Sequence, residues 1–502
     1  MSSTIFQNQS IQELLNLYQP IWALGYLSSI SSWDGEAYMP SSGAKYRGVA
    51  MGKTQVLVQQ LITDPKLKEL LEKAKNEKLN NCESAVLRLL RREINVYEKL
   101  PKAFIEEFEQ TVSSAQLIWR KAREENSFLL FQPELEKIVK LSQQKAKFLG
   151  YDGHPYNALL DLYEEDSNVE FLDEYFKSVI EVVDSLLGYI SKSGKYDQPN
   201  PISHLPCDRS KQETLNMSIL EYFKYDKTRL RLDISTHPFS EGMSTDDARI
   251  TTRYDSTDFA KTLTSTIHEF GHALYFLQHN PEFNCTPLYT HYSLGVHESQ
   301  SRFFENIVGR SKSFIEMNLD KFKILGHEYE KVTSEDYYRY FNYVKPGLIR
   351  VEADEVSYHT HIYIRYLIEK ELIDGTLLVK DVPARWNDLY QKHLGIRPQD
   401  NATGCLQDIH WSMGSIGYFP TYSVGTVFAS QLNHKLESDI GSVNKLLLTS
   451  DGIDRIKLWL KENVHQHGPV YKINELASRI SGEKLTTKYW QDYLNEKYRA
   501  IY

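Results

Sequence analysis

Phe259 to Gln278 reads FAKTLTSTIHEFGHALYFLQ. Apolar residues recur through it at helical intervals (Ile267, Phe270, Ala273, Leu274, Phe276), so the segment is expected to be a helix. On a helix, His268 and His272 differ by only about 40° in azimuth, so both imidazoles leave one face and can grip a single ion. Glu269 is turned about 100° from His268. That offset sets its carboxylate beside the ion rather than on it, within reach of a water that the ion activates. Gly271 costs about 1 kcal/mol in a helix interior, and its presence implies a close backbone approach.

A catalytic ion of this kind takes three protein ligands and keeps one position open, so two histidines leave a ligand to be found. Glu298 is the best candidate, in His297-Glu298-Ser299-Gln300-Ser301-Arg302 at the start of a further helical pattern that can pack back across the first. Two neutral imidazoles and one carboxylate leave a divalent ion with a net single positive charge, enough to polarise water and a carbonyl. Glu305, seven residues on, shares the face of Glu298 and can orient a ligand from behind, although a solvated glutamate fits the pattern equally well. Upstream, Arg229 to Ser235 and Ala248 to Tyr254 alternate with period two and are expected to form a small sheet. The second of these is read as an edge strand, the arrangement a zinc peptidase needs to lay an extended peptide beside its metal.

The rest of the chain is dominated by helical periodicity. It shows in Val56, Leu57 and Leu61, in Leu67, Leu70 and Leu71, and through Phe104 to Arg123, Pro133 to Lys147 and Val169 to Ile190. Thr63-Asp64-Pro65 supplies a break. Neither a repeat nor a long Ser/Gly/Pro linker interrupts it, so residues 1–502 are read as one mainly α catalytic domain with two helical lobes. A net charge of -9 over 502 residues, with Lys and Arg scattered, argues against a nucleic-acid partner. Met1 to Ser10 has no basic leader, and Ile21 to Ile30 is too short to span a bilayer, so membrane insertion and secretion are not expected. Cys82, Cys207, Cys285 and Cys405 are far apart and form no CxxC pair, which fits reduced thiols in a cytoplasmic protein.

Five spaced motifs now stand in order: Asp247-Ala248-Arg249-Ile250-Thr251, HEFGH, His297-Glu298-Ser299-Gln300, Ile349-Arg350-Val351-Glu352-Ala353-Asp354 and Gly404-Cys405-Leu406-Gln407-Asp408-Ile409-His410-Trp411. Together they resemble the carboxypeptidase Taq family of metallocarboxypeptidases. The likeness extends to Ser32-Trp33-Asp34 with Met39-Pro40, Trp119 with Ala122-Arg123, and Tyr156 with Leu159-Leu160-Asp161. The resemblance implies a helical fold related to neurolysin and angiotensin-converting enzyme, with the metal at the floor of a long groove. It also implies a homodimer acting on peptides from the C-terminal end. Angiotensin-converting enzyme carries an Asp four residues after its third ligand, where this chain has Arg302, so that role does not transfer.

An exopeptidase must recognise a free α-carboxylate, most simply with a fixed cation. Arg350 is the leading candidate, against a structural ion pair with Glu352 or Asp354. His410 can add a hydrogen bond, and Arg249 of the first motif is a further substrate-binding candidate. Ser415 to Tyr422 offers two phenols for the oxyanion, and Tyr422 is preferred to Tyr418 although the chain has 33 tyrosines. The ion is expected to be zinc, with cobalt or manganese also compatible with a His2Glu set. A metallo-oligopeptidase cutting internally and a non-catalytic peptide-binding protein are the competing readings.

Overall fold

Asp64 acts at the break as its place before Pro65 implies: its carboxylate accepts the Lys66 N–H at 2.7 Å and opens the helix Pro65–Ala74. Leu67, Leu70, Leu71 and Ala74 of that helix are buried. The preceding helix, Ala44–Ile62, has the expected period but buries only Ile62, while Val56 and Leu57 remain half exposed. The segment expected from Pro133 begins earlier, as the helix Phe128–Leu149, because Phe128 and Phe131 are buried and anchor an extra turn ahead of the proline. Phe104 to Arg123 and Val169 to Ile190 lie in the helices Lys102–Glu124 and Val169–Lys192.

The computed structural model describes residues 5–195 and 199–502, so the first four residues of the segment read for a leader lie outside the described residues. The fold is mainly α with one small sheet. No helix among the described residues is long and apolar enough to cross a membrane. All four cysteines are free thiols. The chain divides into two compact units, one comprising Met1–Glu98, Asn200–Phe341 and Gln431–Leu485, the other Lys99–Pro199, Asn342–Ser430 and Thr486–Tyr502. Each unit draws on three separated stretches, which accounts for the absence of a linker signal.

The first unit holds the sheet, built from β1 (Leu230–Ile234), β2 (Ser240–Ser244) and β3 (Asp247–Thr252) in the order β1-β3-β2. β1 runs parallel to β3, with Leu230 opposite Ala248, and β2 runs antiparallel to it, with Ser240 opposite Ile250. The edge-strand expectation is therefore corrected: β3 is the central strand and β2 is the edge beside it. β2 escaped notice because Ser-Glu-Gly-Met-Ser has neither alternation nor β-branched residues. Its conformation comes from pairing, and Gly242 is required because a Cβ there would lie 2.3 Å from the Phe276 ring.

Helix α1 (Phe259–Leu277) packs on this sheet, capped by Asp258, whose carboxylate accepts the Ala260 N–H at 3.0 Å. Thr266 of α1 donates to its own helix and meets Thr252 of β3 at 3.0 Å, while Asn216 donates to the same hydroxyl at 2.9 Å. Phe270 stacks on Phe223 with ring centres 5.0 Å apart. The helix is thus buried on nearly all sides, as its apolar content requires. Helix α2 (Leu294–Arg302), capped by Ser293, crosses it and continues into a π-helical turn at Phe303–Gly309. A Cβ on Gly271 would lie 2.4 Å from the Gln300 carbonyl oxygen and 2.7 Å from the Ser301 Cα. Gly271 therefore permits the close crossing that its sequence position implied.

Candidate metal centre

Helices α1 and α2 bring the three candidate ligands His268, His272 and Glu298 together. His268 Nε2 lies 3.6 Å and His272 Nε2 3.4 Å from the same oxygen, Oε2, of Glu298. Ligands held about 2.0 to 2.2 Å from a tetrahedral ion stand roughly 3.3 to 3.6 Å apart, so the donor set and its spacing fit a divalent metal. The three ligand atoms lie within 4.8 Å of one another, and they form the one such cluster among the described residues. If they hold the ion, His268→Ala, His272→Ala and Glu298→Ala should each lower metal content after dialysis, as read by elemental analysis. A full equivalent retained by Glu298→Ala at wild-type affinity would place the third ligand elsewhere.

The residues around the ligands fix their direction. Arg302 Nε donates to Glu298 Oε1 at 2.7 Å, leaving Oε2, which also accepts the Ser301 hydroxyl at 2.9 Å, turned toward the histidines. Glu305 is buried rather than solvated, and its Oε2 meets His268 Nδ1 at 2.9 Å. That contact selects the tautomer with Nε2 free to ligate. Arg302 Nη1 reaches the same Glu305 oxygen at 3.0 Å, and Arg310 Nη2 holds the other at 2.9 Å. Burial opposes ionisation of Glu298 and Glu305, but the neighbouring arginines and histidines outweigh it and hold both carboxyls well below the usual range. Arg302 escaped the reading of the sequence except as a contrast. The signal was present, because a cation four residues after a helical carboxylate is a pairing position.

Glu269 is buried on α1 beside this set. Burial pushes its carboxyl up from the ordinary value, with His268 and His272 drawing it back. A raised carboxylate next to three ligands suits a group that takes a proton from water and later releases it. Arg249, in the same unit on β3, pairs with Asp247 through two contacts of 3.0 Å and lies 4.3 Å from the Trp33 ring centre.

The second unit gathers the other candidates. Arg350 is buried and donates through Nε to Asp408 Oδ1 at 2.8 Å, while its own N–H donates to Gln407 Oε1 at 2.9 Å. Neither carboxylate weighed as its structural partner is the one it binds. Asp354 instead takes the N–H groups of Val356 and Ser357 at 2.9 and 2.8 Å and the Ser357 hydroxyl at 2.5 Å. Asp408 also pairs with Arg365, 2.5 Å away, so two guanidiniums share one carboxylate. Burial disfavours the Asp408 anion, but Arg350 and Arg365 hold its carboxyl well below the usual range. His410 Nε2 lies 3.2 Å from the Tyr422 hydroxyl. Burial and the Arg350 charge push His410 down to about 3, so it is a neutral imidazole near pH 7. The Tyr422 ring lies 5.1 Å from the Arg350 guanidinium carbon and 5.2 Å from the Tyr418 ring. The structure thus brings Arg350, His410, Tyr418 and Tyr422 into one cluster, with Asp408 of the last motif and with Arg365, which no local pattern announced.

Comparison with known proteins places the chain among metallopeptidases. Residues 13–498 match the family model described as carboxypeptidase Taq (M32) metallopeptidase. The chain is 41% identical to thermostable carboxypeptidase 1 of Pyrococcus furiosus over 98% of its own length and 99% of that protein's. It is 34% identical to carboxypeptidase 1 of Bacillus subtilis over 98% of both. A solved structure of the P. furiosus carboxypeptidase superposes with a TM-score of 0.96, covering 98% of this chain and 100% of that one. On this agreement of sequence and fold across nearly the full length, the chain belongs to the carboxypeptidase Taq (M32) family of metallopeptidases and is a metal-dependent carboxypeptidase.

Proposed function

We propose that residues 1–502 form one catalytic domain that removes the C-terminal residue of peptides, with His268, His272 and Glu298 holding the ion and Glu269 as the general base. The observation that carries this reading is the convergence of the two imidazoles on one oxygen of Glu298 beside a buried Glu269. The chemistry that a divalent ion bound by these three residues would supply is polarisation of the scissile carbonyl and acidification of the attacking water, and zinc is the ion we assign, cobalt and manganese being the alternatives. Glu269 accepts a proton from that water as its oxygen adds to the carbonyl carbon. The same carboxyl then delivers the proton to the amide nitrogen, so that the C–N bond breaks and a neutral amine departs.

Arg350 and His410 are assigned to the substrate α-carboxylate, supported by the net positive charge of two arginines sharing Asp408. The neutral His410 acts as a hydrogen-bond donor, not as a second charge. Tyr422 is assigned to the developing oxyanion, with Tyr418 as the alternative, and Arg249 to substrate binding. We further infer a cytoplasmic homodimer with peptide substrates.

The test is turnover after zinc reconstitution on matched peptides ending in a free acid or an amide, with products identified by mass. Release of single residues from the acid, with the amide cut at least about tenfold more slowly, is expected. Equal rates and internal fragments would favour an oligopeptidase, and binding without turnover a non-catalytic peptide-binding protein.

A further inference from the structure

In the second unit, helix α3 (Tyr358–Asp374) carries Arg365 and Glu369 one turn apart, both fully buried. Their spacing would let them pair with each other. Instead each side chain is committed to the same stretch of chain. Arg365 Nε donates to Asp408 Oδ2 at 2.6 Å and its Nη2 to Gln407 Oε1 at 2.8 Å. Its Nη1 is held by the His361 carbonyl at 2.7 Å. Glu369 accepts the Trp411 indole N–H at 2.8 Å and the Gly417 N–H at 2.9 Å, with the Tyr156 hydroxyl at 2.5 Å.

The two residues therefore hold residues 407, 408, 411 and 417, with His410 inside that interval. Gly417 adds a constraint from the other side. Its φ is +105°, and a Cβ there would lie 2.8 Å from the Leu159 carbonyl oxygen. The loop can reach Glu369 only with glycine at this point. Burying a guanidinium and a carboxylate is unfavourable unless their hydrogen bonds are satisfied, and well-packed apolar residues would stabilise a core as well or better. Burial pushes the Glu369 carboxyl up to about 7 despite its three donors. A buried polar network whose members are satisfied rigidifies the segments it joins.

We propose that Arg365 and Glu369 are positioning residues: acting from one helix, they set the 407–417 segment so that the His410 imidazole is presented to the substrate carboxylate. The proposal rests on the reading of His410 as a substrate contact.

The experiment compares Glu369→Gln, Arg365→Lys and His410→Ala, singly and with each positioning variant combined with His410→Ala, on one free-acid peptide. Metal content and melting temperature are recorded for each. Glu369→Gln and Arg365→Lys should each raise KM by about five- to twentyfold while kcat stays within about threefold, with a full equivalent of metal. In the His410→Ala background the same substitutions should raise KM by less than about twofold, since their effect passes through that imidazole. Wild-type KM in the two positioning variants while His410→Ala raises it would overturn the proposal alone. An equal rise with and without His410 would also overturn it. Wild-type KM in His410→Ala would overturn the reading of His410 first, and the proposal with it. If Glu369→Gln fails to fold, Trp411→Phe removes one of its hydrogen bonds and keeps the ring. It must give the same KM-selective loss, and unchanged KM there would overturn the proposal.

Discussion

Replacing Glu269 by glutamine should leave a full equivalent of metal bound and lower kcat by at least about a hundredfold, the usual minimum for removing a positioned general base. Glutamine keeps the shape of the side chain and cannot accept the proton. His268 and Glu298 keep their partners, because Glu305 and Arg302 rather than Glu269 orient them. Melting temperature should not fall, since the substitution removes a charge from a buried position. Retention of more than about a tenth of wild-type kcat would defeat the assignment. The pH dependence gives a second reading of the same group. As the general base Glu269 would work as the carboxylate, and burial raises its pKa, so kcat/KM should decline as pH falls through a midpoint above the ordinary glutamate value of about 4.3. Glu298 and Glu305 are held below that range and remain ionised through the decline. A midpoint below about 4 would assign the limb to another group.

Arg350→Ala should reduce kcat/KM on free-acid peptides by about 2 to 4 kcal/mol, the loss expected for a charge-assisted pair, and leave amidated peptides unaffected because they lack the anion. The second unit sharpens the expectation for stability. Removing Arg350 does not strand Asp408, which keeps Arg365, and it does not touch the hydrogen bonds of Asp354. The melting temperature should therefore fall by only a few degrees, much less than for a pair whose loss leaves a buried charge alone. Equal losses on acid and amide, with a large drop in melting temperature, would make Arg350 a structural residue. His410 would then be the principal carboxylate contact.

The geometry of the candidate metal centre was legible because its information is local. The four-residue interval of His268 and His272, the one-residue offset of Glu269 and the glycine at 271 each state a direction on a helix whose period is constant. The helical character of the chain followed from the same periodicity, although in Ala44–Ile62 the apolar stripe is largely unburied. Glu298 stood out as a candidate because the chemistry calls for a third ligand. The partners that aim these groups were decided by packing. β2 is a strand only because β3 lies beside it, and Glu305 is oriented by Arg310 as well as Arg302. Arg350 meets Asp408, 58 residues away, instead of the acids beside it in sequence. Periodicity along one element specifies which way a side chain points, but not which element will face it. Buried charges require a partner wherever the fold brings one near, so their pairing belongs to the tertiary structure.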